Sequence, residues 1–328
     1  MRLQILGVKL ILFLGFIIGL IALTQWRARA RESAAEARHP PIGEIIMVGG
    51  VAVHVHMSGS GPDLVLIHGA SGNLRDFTFE FSQRLIDRYR VIAFDRPGLG
   101  WSGRSPDNKG AWNTTSETPQ EQAGVLQKAA DQIGVTNPIV FGHSYGGAVA
   151  LAWGLSRLND TAALVLVSAA TEPWPGSLGW LYQATSSSLG GAVMIPLVTA
   201  FLPASAVDAS ANAIFAPQAP PDGYTDYLGT GLTLRRESTR ANAQQVNGLL
   251  PYIIEMKKQY GMLTMPIEMV HGEMDTIVPA FIHAQVLMQD VPNGMLTMLP
   301  GLGHMPHHTD PSAVVDAVER AAARAGLR

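Results

Sequence analysis

The apolar positions change period along the chain, and the changes mark its parts. Residues 10–23 form an unbroken run of apolar residues and glycine, which residues 3–8 extend except at Gln4, with Lys9 between the two. From Glu44 the period becomes two: residues 45–48, a Gly49-Gly50 pair and residues 51–57 predict a β-hairpin. Short apolar runs at 64–67, 91–94, 139–141 and 163–167 predict buried strands. Helical patterns stand between them, at 74–87 with Phe77, Phe81, Leu85 and Ile86 on one face, at 118–133, and through Ala148, Leu151 and Trp153. The rhythm breaks at Thr171. Up to about Met262 there is no buried-strand pattern, only helical fragments such as 178–186 and 238–258 among proline, glycine, serine and alanine. Strand patterns return at 266–272 and 295–299, with helices at 280–289 and 311–324. Strands alternating with helices predict an α/β fold with a mostly parallel sheet covered on both faces. Its core would span 44–170 and 263–328, with an N-terminal β-hairpin and a helical lid inserted at 171–262.

The N-terminal run stands apart from this core. A full span needs roughly 20 apolar residues. Residues 1–26 are read as a membrane anchor, with Lys9 snorkelling to one interface and Trp26 at the other. Residues 27–43 are read as a charged, alanine-rich linker. The competing reading is a signal peptide, with Arg2 and Lys9 as its basic region, cleaved at Ala28-Arg29-Ala30 and leaving an exported protein. Arg27, Arg29 and Arg31 crowd that site and favour a retained single anchor. Positive charge at both ends leaves the orientation open.

Composition narrows the function. Of 328 residues, 47% are hydrophobic and 15% charged, and the net charge is -3 with no basic stripe, which excludes a nucleic-acid partner. There is no cysteine, so disulfides, a thiol nucleophile and thiolate metal sites are excluded.

The candidate chemistry begins at residues 139–147. A buried strand stops at Gly142, and Gly142-x-Ser144-x-Gly146 leads into a helix, the spacing of a nucleophile elbow. The turn would hold Ser144 clear of the sheet, with the following helix pointing its amides at the site. A serine hydroxyl needs a base, and the base needs a partner that fixes its tautomer. Asp275 and His304 each follow a strand, where the carboxyl ends of a parallel sheet converge. Glu273 and Glu172 are alternatives to Asp275 as the carboxylate.

From Glu44 onward the chain resembles the α/β-hydrolase superfamily, in its lidded esterase/lipase-like branch. The elbow, the His68-Gly69 turn, Asp95-Arg96-Pro97-Gly98-Leu99-Gly100-x-Ser102, Gly272-x-x-Asp275 and Gly303-His304 match in order. The resemblance implies Ser144 as nucleophile, His304 as general base and acid, Asp275 as its orienter, and the Ala70 and Tyr145 amides as the oxyanion hole. Serine at 144, where some relatives carry aspartate, sets the chain apart from epoxide hydrolases and haloalkane dehalogenases.

Other residues receive plainer readings. His304, His307 and His308 have no carboxylate or thiolate in a metal-binding spacing, so no metal is expected. His68 and His143 are expected to be structural, His54 and His56 to lie at the surface of one strand, and Asp95 and Arg96 to brace the loops as a local ion pair.

The function expected is cofactor-free hydrolysis of a carboxylic ester or related acyl bond through an acyl-enzyme. Alternatives are C–C bond hydrolysis, a proline-iminopeptidase type of peptidase, a lyase, an acyltransferase, or a weakly active ligand-binding protein of the same fold. Residues 173–234 contain no lysine, arginine or histidine and only Asp208, Asp222 and Asp226 as charges, which points to a neutral, apolar small-molecule substrate. Arg235, Arg236 and Arg240 lie just beyond that segment. The sequence leaves the oligomeric state undetermined.

Overall fold

A computed structural model describes residues 2–328. Helix α1 (Arg2–Arg38) leads to an eight-stranded sheet: β1 (Glu44–Val48), β2 (Val51–Ser58), β3 (Asp63–Ile67), β4 (Arg90–Phe94), β5 (Ile139–His143), β6 (Ala163–Val167), β7 (Ile267–Gly272) and β8 (Gly294–Leu299). The spatial order is β1-β2-β4-β3-β5-β6-β7-β8. Only β2 runs antiparallel to its neighbours; β4 through β8 pair in parallel. Every residue of β3, β5, β6 and β7 is buried, as expected of parallel strands with helices on both faces.

The helices of the core follow the strands. The short helix α2 (Arg75–Thr78) comes after β3, and α3 (Pro119–Gln132) and α4 (Tyr145–Ser156) flank β5. Thr118 starts α3 with a capping box: its side chain accepts from the Glu121 amide at 3.0 Å, and Glu121 accepts from the Thr118 amide at 2.8 Å. One face of the sheet packs under α3 and α4 around the fully buried Trp153.

The helix expected over 74–87 breaks in two, α2 and a 3-10 turn at Phe81–Arg84, with Glu80 at φ -147 between them. Tertiary partners override the local period here. Phe77 and Phe81 both pack on Phe141 in β5, while the Asp76 carboxylate is drawn to histidines near the C-terminus.

Between β6 and β7 the chain forms α5 (Trp180–Ser186), α6 (Ile195–Phe201), α7 (Ala204–Phe215), α8 (Tyr224–Leu228), α9 (Thr230–Thr233), α10 (Arg236–Asn247) and α11 (Leu249–Lys257). The single fragment expected at 238–258 is thus two helices meeting at Gly248. Helices α12 (Ala284–Asp290), α13 (Pro306–Thr309) and α14 (Pro311–Arg324) complete the core.

Residues 27–38, read from composition as linker, continue α1 without a break. Alanine is a strong helix former, and the lid supplies partners for the charges. Ala28 and Ala35 are buried, Glu32 pairs with Arg236 at 2.7 Å and Glu36 with Arg235 at 3.0 Å. The rest of α1 is different in kind: its most apolar window has a mean hydropathy of 2.7 and none of it is buried.

Candidate active site

The parallel register aligns the carboxyl ends of β3, β5, β7 and β8, so the loops after them meet at one edge of the sheet. After β5 the chain turns sharply into α4. Ser144 takes φ 52 and ψ -119, a conformation that costs energy for any residue with a Cβ. Its backbone is held by hydrogen bonds from its amide to Val167 O at 3.0 Å and from the Ala170 amide to its carbonyl at 3.1 Å. The glycines are needed for close approach. A Cβ on Gly142 would lie 2.4 Å from Gly146 O, and one on Gly146 would lie 2.1 Å from Ile67 O.

Ser144 lines a cavity of about 280 Å³ with His304, and lid residues Tyr182, Leu202, Ile214 and Leu228 form much of its wall. No lysine or arginine lines it among the described residues; Arg235 and Arg236 are occupied by Glu36 and Glu32, and Arg240 by the Thr185, Ser187 and Asn113 carbonyls. Ser144 Oγ and His304 share this cavity without a hydrogen bond between them among the described residues, and such contacts are often long before substrate binds.

Asp275 and His304 are brought together. His304 Nδ1 and Asp275 Oδ2 are 2.7 Å apart, and Asp275 Oδ1 accepts from the Ile277 and Val278 amides at 2.9 Å each. His271, on β7, stands 3.3 Å from the same Oδ2. Burial works to raise the Asp275 pKa, but His271, His304 and the Val278 amide outweigh it and hold the carboxyl well below the usual carboxylate range. An ionised Asp275 accepts a hydrogen bond from His304 Nδ1–H, which leaves the Nε2 lone pair free. The other carboxylates are elsewhere: Glu172 pairs with Lys257 at 2.5 Å, and Glu273 is exposed.

Ala70 lines the same cavity, and Tyr145 directly follows Ser144. Tyr145 is the first residue of α4, so its N–H has no acceptor within the helix. The Ala70 amide makes no hydrogen bond among the described residues, and Ala70 lines the cavity. The turn before it is tightly tied. His68 Nδ1 donates to Gly69 O at 2.9 Å while its Nε2 accepts from the Arg96 amide at 3.0 Å, which requires a neutral ring. Burial, with Arg96 adding to it, pushes His68 down to about 4.

Arg96 departs from the expected ion pair with Asp95. Its guanidinium donates to His68 O at 2.9 Å and Gly69 O at 3.0 Å, reaches Gln122 and Gln245, and sits 4.3 Å from the Tyr145 ring centroid. Burial lowers it to about 10. Asp95 faces the other way and accepts from the Leu74 and Trp101 amides and from His54 Nδ1 at 2.7 Å. His54 is therefore buried rather than at the surface, because β2 is covered by β4 and the loop carrying Asp95; His56 is partly exposed. Sequence spacing carried no sign of these cross-chain partners.

His143 is buried, and its Nε2 donates to His304 O at 3.0 Å, so it supports the backbone at His304. His307 and His308 turn away from His304 toward Asp76, at 3.1 and 2.8 Å, and Tyr224 donates to the same carboxylate at 2.7 Å. The carboxylate that the local spacing lacks thus comes from α2, and the three ligand atoms lie within 4.8 Å of one another. Asp76 already receives three donors on its two oxygens, which ties α2 to α13 and to lid helix α8.

The alpha/beta hydrolase family model matches residues 64–317, most of the chain. The chain belongs to the α/β-hydrolase family. It is a hydrolase, and its eight-stranded, mostly parallel sheet is the sheet of that fold. An α/β-hydrolase-fold protein from Burkholderia ambifaria superposes with a TM-score of 0.68 at 24% identity, covering 84% of this chain and 96% of that one. An uncharacterized protein of Mycobacterium tuberculosis is 25% identical over 86% of this chain and 81% of its own length. The magnesium-chelatase 30 kDa subunit of Rhodobacter capsulatus is 27% identical over 84% of this chain and 90% of its own length. The structural likeness supports the fold, and none of the three carries a substrate.

Proposed function

We propose that this hydrolase cleaves carboxylic esters or related acyl bonds by acyl transfer to Ser144. The observation that carries the reading is the His304 Nδ1–Asp275 Oδ2 contact of 2.7 Å beside a cavity lined by both His304 and the strained Ser144. In this reading His304 Nε2 takes the Ser144 proton as Oγ attacks the acyl carbon. The tetrahedral oxyanion is held by the Ala70 and Tyr145 amides, at the N-terminus of α4. His304 then returns the proton to the leaving alcohol, and a water repeats the sequence to release the acid. No cofactor is required by this chemistry.

Arg96 acts in this scheme as a positioning residue for the oxyanion donors, through the His68 and Gly69 carbonyls and the Tyr145 ring. Arg96→Met should lower kcat by about tenfold to a hundredfold, short of the ~10²–10³ lost with an oxyanion donor itself, and change KM less. Arg96→Lys should not restore it, because an ammonium lacks the planar fork that serves two carbonyls. A lowered Tm with kcat of the folded enzyme unchanged would make Arg96 a packing residue only.

The cavity wall supports a neutral, apolar acyl group. Each methylene buried there should contribute about 0.8 kcal/mol, or roughly fourfold in kcat/KM. A p-nitrophenyl ester series should therefore show kcat/KM rising from acetyl to medium acyl chains. A maximum at acetate, or a preference for carboxylate-bearing substrates, would overturn the reading.

Helix α1 is read as a single N-terminal membrane anchor. Residues 4–23 are exposed and rise about 30 Å at ~1.5 Å per residue, the thickness of a bilayer's hydrocarbon core. The alternative of leader cleavage at Ala28-Arg29-Ala30 fits poorly, since Ala28 is fully buried within α1 and the neighbouring Arg27 donates to Ala200 O at 2.8 Å.

A further inference from the structure

The lid carries an apolar face that stays largely exposed among the described residues. Residues 190–201 run as one helical stretch, a π-turn continued by α6, and Val193, Leu197 and Phe201 lie at successive four-residue steps along it. They are 48%, 45% and 46% exposed, while Ile195, Thr199 and Ala200 on the other side are buried. Trp180 and Leu181, on the arm that bends by 91° into this stretch, and Leu189 between the arms are more exposed still, at 72%, 50% and 66%. No charged residue occurs from 173 to 207, so this face can leave water without desolvating a charge.

Its position relative to α1 says what covers it. The open end of the stripe meets α1 where that helix's exposed apolar run stops. The Arg27 guanidinium lies 5.2 Å from the Phe201 ring centroid, and Arg27 also donates to Ala200 O. The exposed apolar side chains of α1 and the exposed stripe of α6 thus approach one another at Arg27, and Arg29 and Arg31 follow it on α1. Arginines at that level match the headgroup zone of a bilayer.

We infer that the apolar lid face formed by Trp180, Leu181, Leu189, Val193, Leu197 and Phe201 docks on the lipid bilayer that holds α1. The inference rests on the anchor reading above and deepens it. Leu181 and Phe201 on this face are directly followed by Tyr182 and Leu202, which line the Ser144 cavity. The wall of that cavity is therefore a single helix thick toward the membrane, and the acyl substrate is drawn from the lipid leaflet rather than from water.

The absence of cysteine makes the test clean, since any introduced thiol is unique. The full chain, reconstituted in phosphatidylcholine/phosphatidylglycerol vesicles, would carry a nitroxide at one of three sites: Ile11→Cys on α1, Val193→Cys on the lid face, or Met295→Cys on β8. All three positions are exposed in the protein alone. Docking predicts that the Ile11 and Val193 labels collide preferentially with oxygen and the Met295 label with a water-soluble nickel chelate. A Val193 label that behaves like Met295 while Ile11 stays in lipid overturns docking but leaves the anchor. An Ile11 label in water overturns both. A Val193 label shielded from both reagents and broadened by a second nitroxide overturns the bilayer in favour of a second copy of this chain. In function, Leu189→Asp with Val193→Asp should lower hydrolysis of a long-chain ester presented in vesicles by about tenfold or more, leaving a water-soluble short-chain ester unaffected. An undiminished rate on the vesicle-borne ester would overturn the inference.

Discussion

Ser144→Ala abolishes labelling by a fluorophosphonate probe and lowers ester turnover by on the order of 10⁶-fold, as loss of a triad nucleophile does elsewhere. The size of the effect follows from what the change removes. Alanine keeps the Cβ, so the strained φ of 52 and the amide bonds of the elbow to Val167 and Ala170 are retained. The fold and the cavity should therefore persist, with Tm nearly unchanged. Only Oγ is lost. What remains is the contribution of binding and of the oxyanion donors. Kinetics within tenfold of the parent, or persistent labelling, would remove Ser144 from the proposal. A variant that fails to fold would be recognised by its thermal transition and would not be scored.

Asp275→Asn should lower kcat by about 10⁴-fold, through the tautomer of the base rather than through its position. The asparagine Oδ1 can still accept from the Ile277 and Val278 amides, so the loop stays in place. Its amide group, however, donates where the carboxylate accepted, facing His304 Nδ1. The imidazole then carries its proton on Nε2 and has no lone pair for the Ser144 hydroxyl. The paired control is Glu172→Gln. Glu172 also follows a strand, but it bonds Lys257, and burial pushes it up to about 7 against that cation's pull. Activity should survive its change; a crippled Glu172→Gln beside an active Asp275→Asn would exchange their roles. The same contacts set an acid limit. Asp275 is held below its ordinary pKa in the folded state, so its stabilising effect is complete above the unfolded value near 4 and is lost as the pH falls below it. Below about pH 4 the stability of the parent should thus fall more steeply with falling pH than that of Asp275→Asn, which has no carboxylate there to protonate.

Much of this was legible in the chain because it depends on local rules. The elbow needs glycine on both sides of Ser144, and the reason is backbone contact at 2.4 and 2.1 Å, so the spacing is a reliable sign of the turn. Buried parallel strands read as short apolar runs, and all of those expected are present. The helix at 311–324 matches because Pro311 starts it and Asp310 caps it, both local features. Local reasoning failed where a distant partner decides. Composition made residues 27–43 a linker, yet 27–38 are helical, with Glu32 and Glu36 matched by lid arginines some 200 positions later. Alternation put His54 at the surface, but Asp95 turns it inward. Adjacency paired Asp95 with Arg96, although consecutive residues point to opposite sides and each found its partners elsewhere.

By itself, then, the sequence determined the order of strands and helices, the turn that exposes Ser144 and the lack of basic residues over 173–234, because periodicity, glycine contact and composition are properties of neighbouring residues. Only the tertiary structure decided which carboxylate meets His304, what Arg96 holds, that Asp76 gathers His307 and His308, and that Arg27 of α1 meets Phe201 of the lid. Each of those depends on loops and helices far apart in the chain being brought within a few ångströms, and no local pattern encodes that distance.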